Sequence, residues 1–410
     1  MKEGEMTMYT MCTIISMNYI AFARTLVKSF LEHHPTGKAF VLLADEADAS
    51  LAEREEPFEW VGLHEIGLPE WPNLRFQYDV TEFNTAVKPF FLEYLLYKRG
   101  LESVVYLDPD TWITQRMDDF LRELPRHAIV LTPHLLSPLP DDRQKPEEVD
   151  LLRSGVYNLG FLALTRKDET LRMLKWWKAR LTSYCVMDPA AGYHVDQRWM
   201  DMAPALFEGV HILKDKTYNV AYWNLHDRPV TLRNGSYEVA GSPLTFYHFS
   251  GMPADLSCIS KHQTRHRWSS MPHLEQLFRE YVAHLVANGY AETAGRRYAY
   301  GYFDNGIAIP ALARRLYRKL GALPAFGNPF LTLTPHGYYS WLFSPTSITA
   351  PIPQLLKEIY ETRVDLQRLF PAAYGEHRQS LMTWARQFAP LEYGIDPIVW
   401  QPVIDSMIYR

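Results

Sequence analysis

The stretch that most constrains this chain runs Val104-Val105-Tyr106-Leu107-Asp108-Pro109-Asp110-Thr111-Trp112-Ile113. Four apolar or aromatic residues lead straight into two carboxylates separated by one proline, and apolar residues then resume. A short apolar run bounded by polar residues reads as a buried strand. Side chains two apart on a strand share a face, so Asp108 and Asp110 are expected side by side. Proline cannot donate to a central ladder, so pairing should stop near Pro109 and leave both acids at the sheet edge. Open α/β sheets bind ligands at that carboxyl edge. Adjacent carboxylates repel unless a cation lies between them, and their hard oxygens suit Mg²⁺ or Mn²⁺. The stretch alone fits equally a strand-to-turn connection with two solvated acids.

The surrounding chain supplies more strand ends. Residues 9–16 (YTMCTIIS) are β-type and lead into a helical pattern over 19–33. Residues 39–45 (AFVLLAD) form a second buried strand ending in an acid, 58–66 a weaker third, and 81–97 are strongly helical. This β-α-β-β-α-β order predicts a doubly wound α/β sheet with ligands at strand ends. Polar groups gather at three of those ends: Ser16 with Asn18, Asp45, and the paired aspartates.

Further along, 127–134 and 155–165 read as strands, the second holding Asn158 and Gly160. Glycine inside a strand often marks close approach of backbone or ligand. Residues 137–150 (SPLPDDRQKPEEVD) are rich in proline and charge and are expected to form a mobile loop. A helix follows over 168–181, then Asp196-Gln197 opens a short helical pattern reaching 207. Residues 218–223 read as strand or extended, and 244–249 (LTFYHF) as a strand closing on His248, Ser250 and Gly251. From 266 onward helical patterns at 271–288, 310–320 and 351–370 alternate with aromatic loops, so domains are expected at 1–265 and 266–410. Two domains also suit a length of 410 residues.

A net charge of −5 argues against a general nucleic-acid binder. Cys12, Cys185 and Cys258 lie far apart and form neither a disulfide framework nor a zinc spacing. No apolar run reaches the roughly 18 residues of a transmembrane helix, and the acidic amino terminus lacks the basic region of a signal peptide. The expected location is the cytoplasm, either free or peripheral to the inner face of the membrane.

With Tyr106-Leu107-Asp108-Pro109-Asp110, Tyr157-Asn158-Leu159-Gly160, Asp196-Gln197 and His248-Phe249-Ser250-Gly251 in this order, residues 8–265 resemble GT-A-fold nucleotide-sugar glycosyltransferases. The pattern is most similar to the retaining family that includes glycogenin and bacterial lipopolysaccharide galactosyltransferases. That resemblance implies a GT-A-type, Rossmann-like mixed sheet flanked by helices, with a mostly helical carboxy-terminal region. It implies transfer of a sugar from a nucleotide-diphosphate sugar, of UDP type, to an acceptor hydroxyl with retention, supported by Mn²⁺ or Mg²⁺. Asp108, Asp110 and His248 would hold the metal. Ser16, Asn18, Asp45, Lys88, Asp108 and Gly251 would contact the nucleotide, and Asn158, Asp196 and Gln197 would face the sugar. The acceptor would be a glycan, a lipid-linked sugar or a protein, and the carboxy-terminal region could support a homo-oligomer. Two departures stand out. Pro109 replaces the usual small residue between the acids, and the lysine expected soon after Gly251 gives way to the later cluster Lys261-His262-Gln263-Thr264-Arg265-His266-Arg267.

Simpler roles exist for each residue. His248 could be an edge histidine bonded to backbone, Lys88 an exposed helix lysine, Ser16 or Asn18 a helix cap, and Asp196 an acid at a helix start. Competing functions are an inverting GT-A transferase, a sugar nucleotidyltransferase and a catalytically dead nucleotide-sugar or carbohydrate-binding fold. A nucleotidyltransferase usually carries a glycine-rich loop after its first strand, and Ser16-Met17-Asn18-Tyr19 contains no glycine.

Overall fold

Strand β1 (Thr10–Ile15) is buried along its whole length, as a near-continuous apolar run requires when both faces of a sheet are covered. In this computed structural model, which describes residues 9–49, 51, 54–69, 71–321 and 324–408, β1 lies inside a seven-stranded sheet. The other strands are β2 (Lys38–Leu43), β3 (Glu59–Gly62), β4 (Ser103–Leu107), β6 (Ile129–Pro133), β7 (Tyr157–Thr165) and Val210–Ile212. The spatial order is Val210–Ile212, β6, β7, β4, β1, β2, β3. β1 runs parallel to β2 and β4, whereas β7 is antiparallel to both β4 and β6. The sheet is therefore mixed and flanked by helices, in agreement with the sequence reading.

Helix α1 (Ile20–His33) connects β1 to β2. Its Ile20, Ala23, Leu26, Val27 and Phe30 recur at helical spacing and share a core with Met11, Ile15 and Val41 of the sheet.

The stretch 104–113 is not one strand. β4 ends at Leu107, and β5 (Thr111–Ile113) leaves the large sheet to pair antiparallel with Phe246–His248. Pro109 brings no N–H to either ladder. The Asp108 N–H still donates to the Gly160 carbonyl at 2.9 Å, while the Asp110 carbonyl accepts from the Phe249 N–H at 2.8 Å. Asp108 is the last residue tied to one sheet and Asp110 the first tied to the other, so the acids sit in a hinge rather than on one strand face.

Residues 137–150 are pinned. The Arg265 guanidinium donates to both Asp142 carboxylate oxygens at 2.9 and 3.1 Å, and to the carbonyls of Gln144 and Pro146. The Lys145 N–H donates to Thr264 Oγ1, and the Thr264 N–H donates back to the Lys145 carbonyl. Composition marks this stretch as a loop; its partner lies about 120 residues away in sequence.

The described residues divide into two units, Met1–Leu68 with Asn84–Arg297, and Pro69–Phe83 with Tyr298–Arg410. The boundary read at 265/266 falls inside the first unit. Helix Pro272–Ala287 places Leu274, Leu277, Phe278, Tyr281 and Leu285 in one core with Val220, Tyr247 and Phe249, so it belongs with the sheet. The second unit is helical, as expected, and Phe76, Tyr317, Tyr338, Leu355 and Trp400 share its core. Among the described residues no helix is long and apolar enough to cross a membrane.

Candidate functional site

The hinge between β4 and β5 presents Asp108 and Asp110, both partly exposed. The antiparallel register sets His248 opposite Thr111, next to the hinge. His248 Nε2 lies 3.2 Å from Asp110 Oδ1 and 3.8 Å from Asp108 Oδ2. Its Nδ1 is 3.3 Å from Asn219 Oδ1, which accepts only, so Nδ1 carries the proton and Nε2 is aimed at the acids. One ligand atom from each of the three residues falls within 4.8 Å of the others. Among the described residues this is the one such cluster of three or more His, Cys, Asp or Glu side chains. Two carboxylates and an imidazole held by a second-layer amide fit a divalent cation. Burial disfavours the His248 imidazolium, yet Asp110, its hydrogen bond and Asp108 outweigh this and raise the pKa.

Lys88 is not an exposed helix lysine. Only 1% of it is accessible, and Nζ lies 2.6 Å from Asp196 Oδ2 and 4.0 Å from Asp108 Oδ1. It also donates to the Leu159 carbonyl at 3.1 Å and sits 4.2 Å over the Tyr106 ring. Burial alone would lower its pKa, but Asp196 and Asp108 hold it above the usual lysine value. Burial in turn pushes the Asp196 carboxyl up against the pull of Lys88. Tyr106 Oη donates to Asp108 Oδ1 at 2.7 Å, fixing that carboxylate from the sheet side.

Asp196 is delivered by an unusual turn. Val195 has φ +41°, a region that β-branched residues avoid. Such strain persists only where its surroundings over-determine it. Here Trp177 Nε1 donates to the Asp196 carbonyl at 3.2 Å, and the Val195 N–H donates to the Val186 carbonyl.

Asn158 and Gln197 meet in the same network. Asn158 Nδ2 approaches Gln197 Oε1 and His134 Nε2 at 3.3 Å each, and Asn158 Oδ1 accepts from the Gly160 N–H and from Asn219 Nδ2. Gln197 Oε1 accepts from the Leu159 N–H, and its amide donates to the Ser154 carbonyl. The two amides therefore tie β7 to the Asp196 turn. Gly160 has a steric reason: a Cβ there would lie 2.3 Å from His248 Cε1.

On the β1 side, Ser16 Oγ donates to Asn18 Oδ1 at 2.8 Å, and Ser16 makes no cap bond to the following 3₁₀ turn. Asp45 Oδ2 accepts from the Met17 N–H at 3.1 Å, which joins the ends of β1 and β2. Gly251 has φ +69°, and a Cβ there would meet His262 Cδ2 at 2.5 Å. The Lys261 N–H donates to the Gly251 carbonyl, so the basic cluster folds back onto that glycine.

Sequence reasoning missed three members. Tyr19 is 38% exposed and stacks on Phe22 at 4.6 Å, and partial burial together with the charges of Asp110 and Asp108 raises its phenol pKa. Asn219 bridges His248 and Asn158 from a left-handed backbone (φ +53°), which Asn adopts more readily than most residues. His134 donates from Nδ1 to the Val156 carbonyl and accepts the Asn158 amide. Tyr19 alone had a local signal, an aromatic directly after a polar strand end.

No family model matches the chain. YfnD of Bacillus subtilis (strain 168), an uncharacterized protein, is 27% identical over 252 residues, which span 60% of this chain and 78% of YfnD. YfnF of the same strain, also uncharacterized, is 26% identical over 284 residues, 67% of this chain and 92% of YfnF. Among solved structures, the glycosyltransferase GlyE of Streptococcus pneumoniae TIGR4 is 14% identical with a TM-score of 0.42, covering 72% of this chain and 67% of GlyE. The galactosyltransferase LgtC, solved with donor and acceptor sugar analogs, is 15% identical with a TM-score of 0.40, covering 67% of this chain and 95% of LgtC.

Proposed function

We propose that the chain is a metal-dependent glycosyltransferase that moves a sugar from a nucleotide-diphosphate sugar, a UDP-sugar, to an acceptor hydroxyl. The observation that carries this reading is the convergence of Asp108, Asp110 and His248 within 4.8 Å at the edge of the sheet, beside the buried Lys88–Asp196 pair. Asp108, Asp110 and His248 would hold Mn²⁺ or Mg²⁺. When bound, such an ion neutralises a diphosphate leaving group as a Lewis acid.

The chain's own groups divide the remaining work. Ser16, Asn18 and Asp45, at the ends of β1 and β2, offer polar partners for the base and ribose, and Tyr19 offers an exposed ring face for the base. The Lys261 backbone N–H folds back onto the Gly251 carbonyl, which keeps the segment after Gly251 next to that glycine. Asp196 is held by Lys88 where it can bind donor hydroxyls, and Asn158 with Gln197 fixes that turn against β7. The Lys88 ammonium occupies Asp196 Oδ2 and blocks the approach of an acceptor proton or an anomeric carbon to that oxygen. That favours retention by a front-face route, in which the leaving phosphate takes the acceptor proton, over inversion with Asp196 as base.

A thermal-shift screen of nucleotide sugars with and without Mn²⁺ tests the reading. A donor that binds the native state raises the melting temperature by mass action, and the rise should require Mn²⁺ or Mg²⁺. Asp110→Asn should lower metal-dependent turnover by about a hundredfold or more, the scale seen when one group stabilising transition-state charge is removed. Absence of metal-dependent nucleotide binding, or undiminished turnover in Asp110→Asn, overturns the assignment.

A further inference from the structure

Asn158 is buried on β7, and its polar atoms are fully engaged inside the protein. Its Oδ1 accepts from the Gly160 N–H at 3.0 Å and from Asn219 Nδ2 at 3.1 Å. Its amide protons go to His134 Nε2 and Gln197 Oε1, at 3.3 Å each. A primary amide offers two N–H donors and one oxygen with two lone pairs, so nothing is left for a donor-sugar hydroxyl.

Main-chain donors fix which way this amide points, because a backbone N–H can only donate. The Gly160 N–H makes the near atom of Asn158 an oxygen, and the Leu159 N–H, 3.1 Å from Gln197 Oε1, does the same for Gln197. His134 agrees from the other side. Its Nδ1 is 3.2 Å from the Val156 carbonyl, so Nδ1 carries the proton and Nε2 accepts from Asn158. The order then passes to Asn219. Facing an oxygen, its near atom must be Nδ2, which also donates to Thr132 Oγ1 at 2.8 Å. Its Oδ1 is left for the Nδ1–H of His248 at 3.3 Å. Thr132 cannot impose this order, since a hydroxyl both donates and accepts. Without Asn158, the Asn219 amide is free to turn over and aim its Nδ2 at His248 Nδ1. The imidazole proton then moves to Nε2, the nitrogen that faces Asp108 and Asp110.

We propose that Asn158 is a positioning residue for the metal ligand His248 and not a contact of the donor sugar. Through Asn219 it keeps His248 Nε2 unprotonated, the form in which an imidazole nitrogen ligates a divalent ion. This departs from the sugar-facing role expected for Asn158 from the sequence. Its purpose rests on the metal-dependent transferase reading; the order of the hydrogen bonds does not.

Mn²⁺ titration of the full chain by electron paramagnetic resonance, without nucleotide, tests the role. Asn158→Leu removes the amide at nearly constant volume and should weaken Mn²⁺ binding by about tenfold or more, the scale for residues that orient a metal ligand. Asn158→Asp keeps an oxygen for Gly160 and Asn219 and should not weaken it. A second readout needs no metal. With histidine nitrogens isotopically labelled, and the signal assigned by His248→Gln, the His248 Nδ1–H should be protected from exchange with water. Asn158→Leu should remove that protection while circular dichroism shows a folded chain. Unchanged Mn²⁺ affinity in Asn158→Leu, with a UDP-sugar weakened relative to UDP, would mark a sugar contact and overturn the proposal. An equal loss of Mn²⁺ affinity in Asn158→Asp also overturns it. So does an unprotected Nδ1–H in the unsubstituted protein, a result that counts even if Asn158→Leu fails to fold. If the unsubstituted protein takes up no Mn²⁺, the metal reading fails, and an Nδ1–H that still depends on Asn158 leaves the ordering role standing.

Discussion

Gly160 decides where His248 can lie. A methyl group there would meet His248 Cε1 at 2.3 Å, His248 Nδ1 at 2.6 Å and Asn158 Oδ1 at 2.8 Å. The ring must then move, and it can do so only by giving up its 3.2 Å approach to Asp110 or its bond to Asn219. Gly160→Ala is expected to cost about 1–3 kcal/mol in stability, the usual range for overpacking a filled core. Mn²⁺ affinity should fall at least about tenfold, because a displaced imidazole no longer completes the ligand set. Thermal melts and a Mn²⁺ titration by electron paramagnetic resonance measure both effects; unchanged Mn²⁺ binding would detach His248 from the metal. Asp108 and Asp110 were visible in the sequence because they adjoin an apolar run, and Gly160 because it interrupts one. Asn219 and His134 were not. Their roles depend on amide and imidazole contacts across 61 and 24 residues of sequence, and nothing local in the chain encodes such distances.

At the scale of elements, the chain announced the end of β4 but not the fate of β5. Proline accounts for the break at residue 109, whereas the pairing of β5 with Phe246–His248 is a choice between distant segments. The stretch 137–150 makes a similar point. Its proline and charge identify a loop, and composition of that kind normally goes with mobility. Arg265 removes it, since its side chain is only 7% accessible and donates to Asp142, Gln144 and Pro146 together. Arg265→Ala is expected to free the loop, and limited trypsinolysis reports the change. Arg143 is the scissile candidate, since Lys145 is followed by proline and resists the protease. Cleavage after Arg143 should be slow in the native protein and accelerate about tenfold or more in Arg265→Ala, as opening free energy falls by over 1 kcal/mol. Arg265→Lys should not restore resistance, because an ammonium cannot reproduce the planar fork. Equal cleavage rates would show that the loop is held by something other than the clasp.

For the whole molecule, a change of texture near residue 266 marked the start of helical sequence but not the end of the first unit. Amphipathic helices carry the same periodicity whichever core they enter. Helix Pro272–Ala287 enters the core of the first unit, where Tyr281 stacks on Phe249 at 3.7 Å, one residue beyond His248. The reverse holds for 69–83, which precedes the Asp-Pro-Asp hinge in sequence yet belongs to the second unit. Phe76 there packs at 4.9 Å from Tyr317, and the buried Arg314 donates to the carbonyls of Phe76 and Tyr78 at 2.7 Å each. A fragment of residues 298–410 therefore lacks a core aromatic and leaves a buried guanidinium short of acceptors. Losing a large core side chain costs about 3–5 kcal/mol, and stranding a buried charge adds a comparable amount, so most of a typical domain's stability disappears. The fragment is expected to show no cooperative thermal transition by circular dichroism. Joining 69–83 to it through a flexible glycine-serine linker should restore one, and carrying Phe76→Ala in that fusion should abolish it again. A cooperative melt of 298–410 alone would show that the second unit does not need the inserted segment.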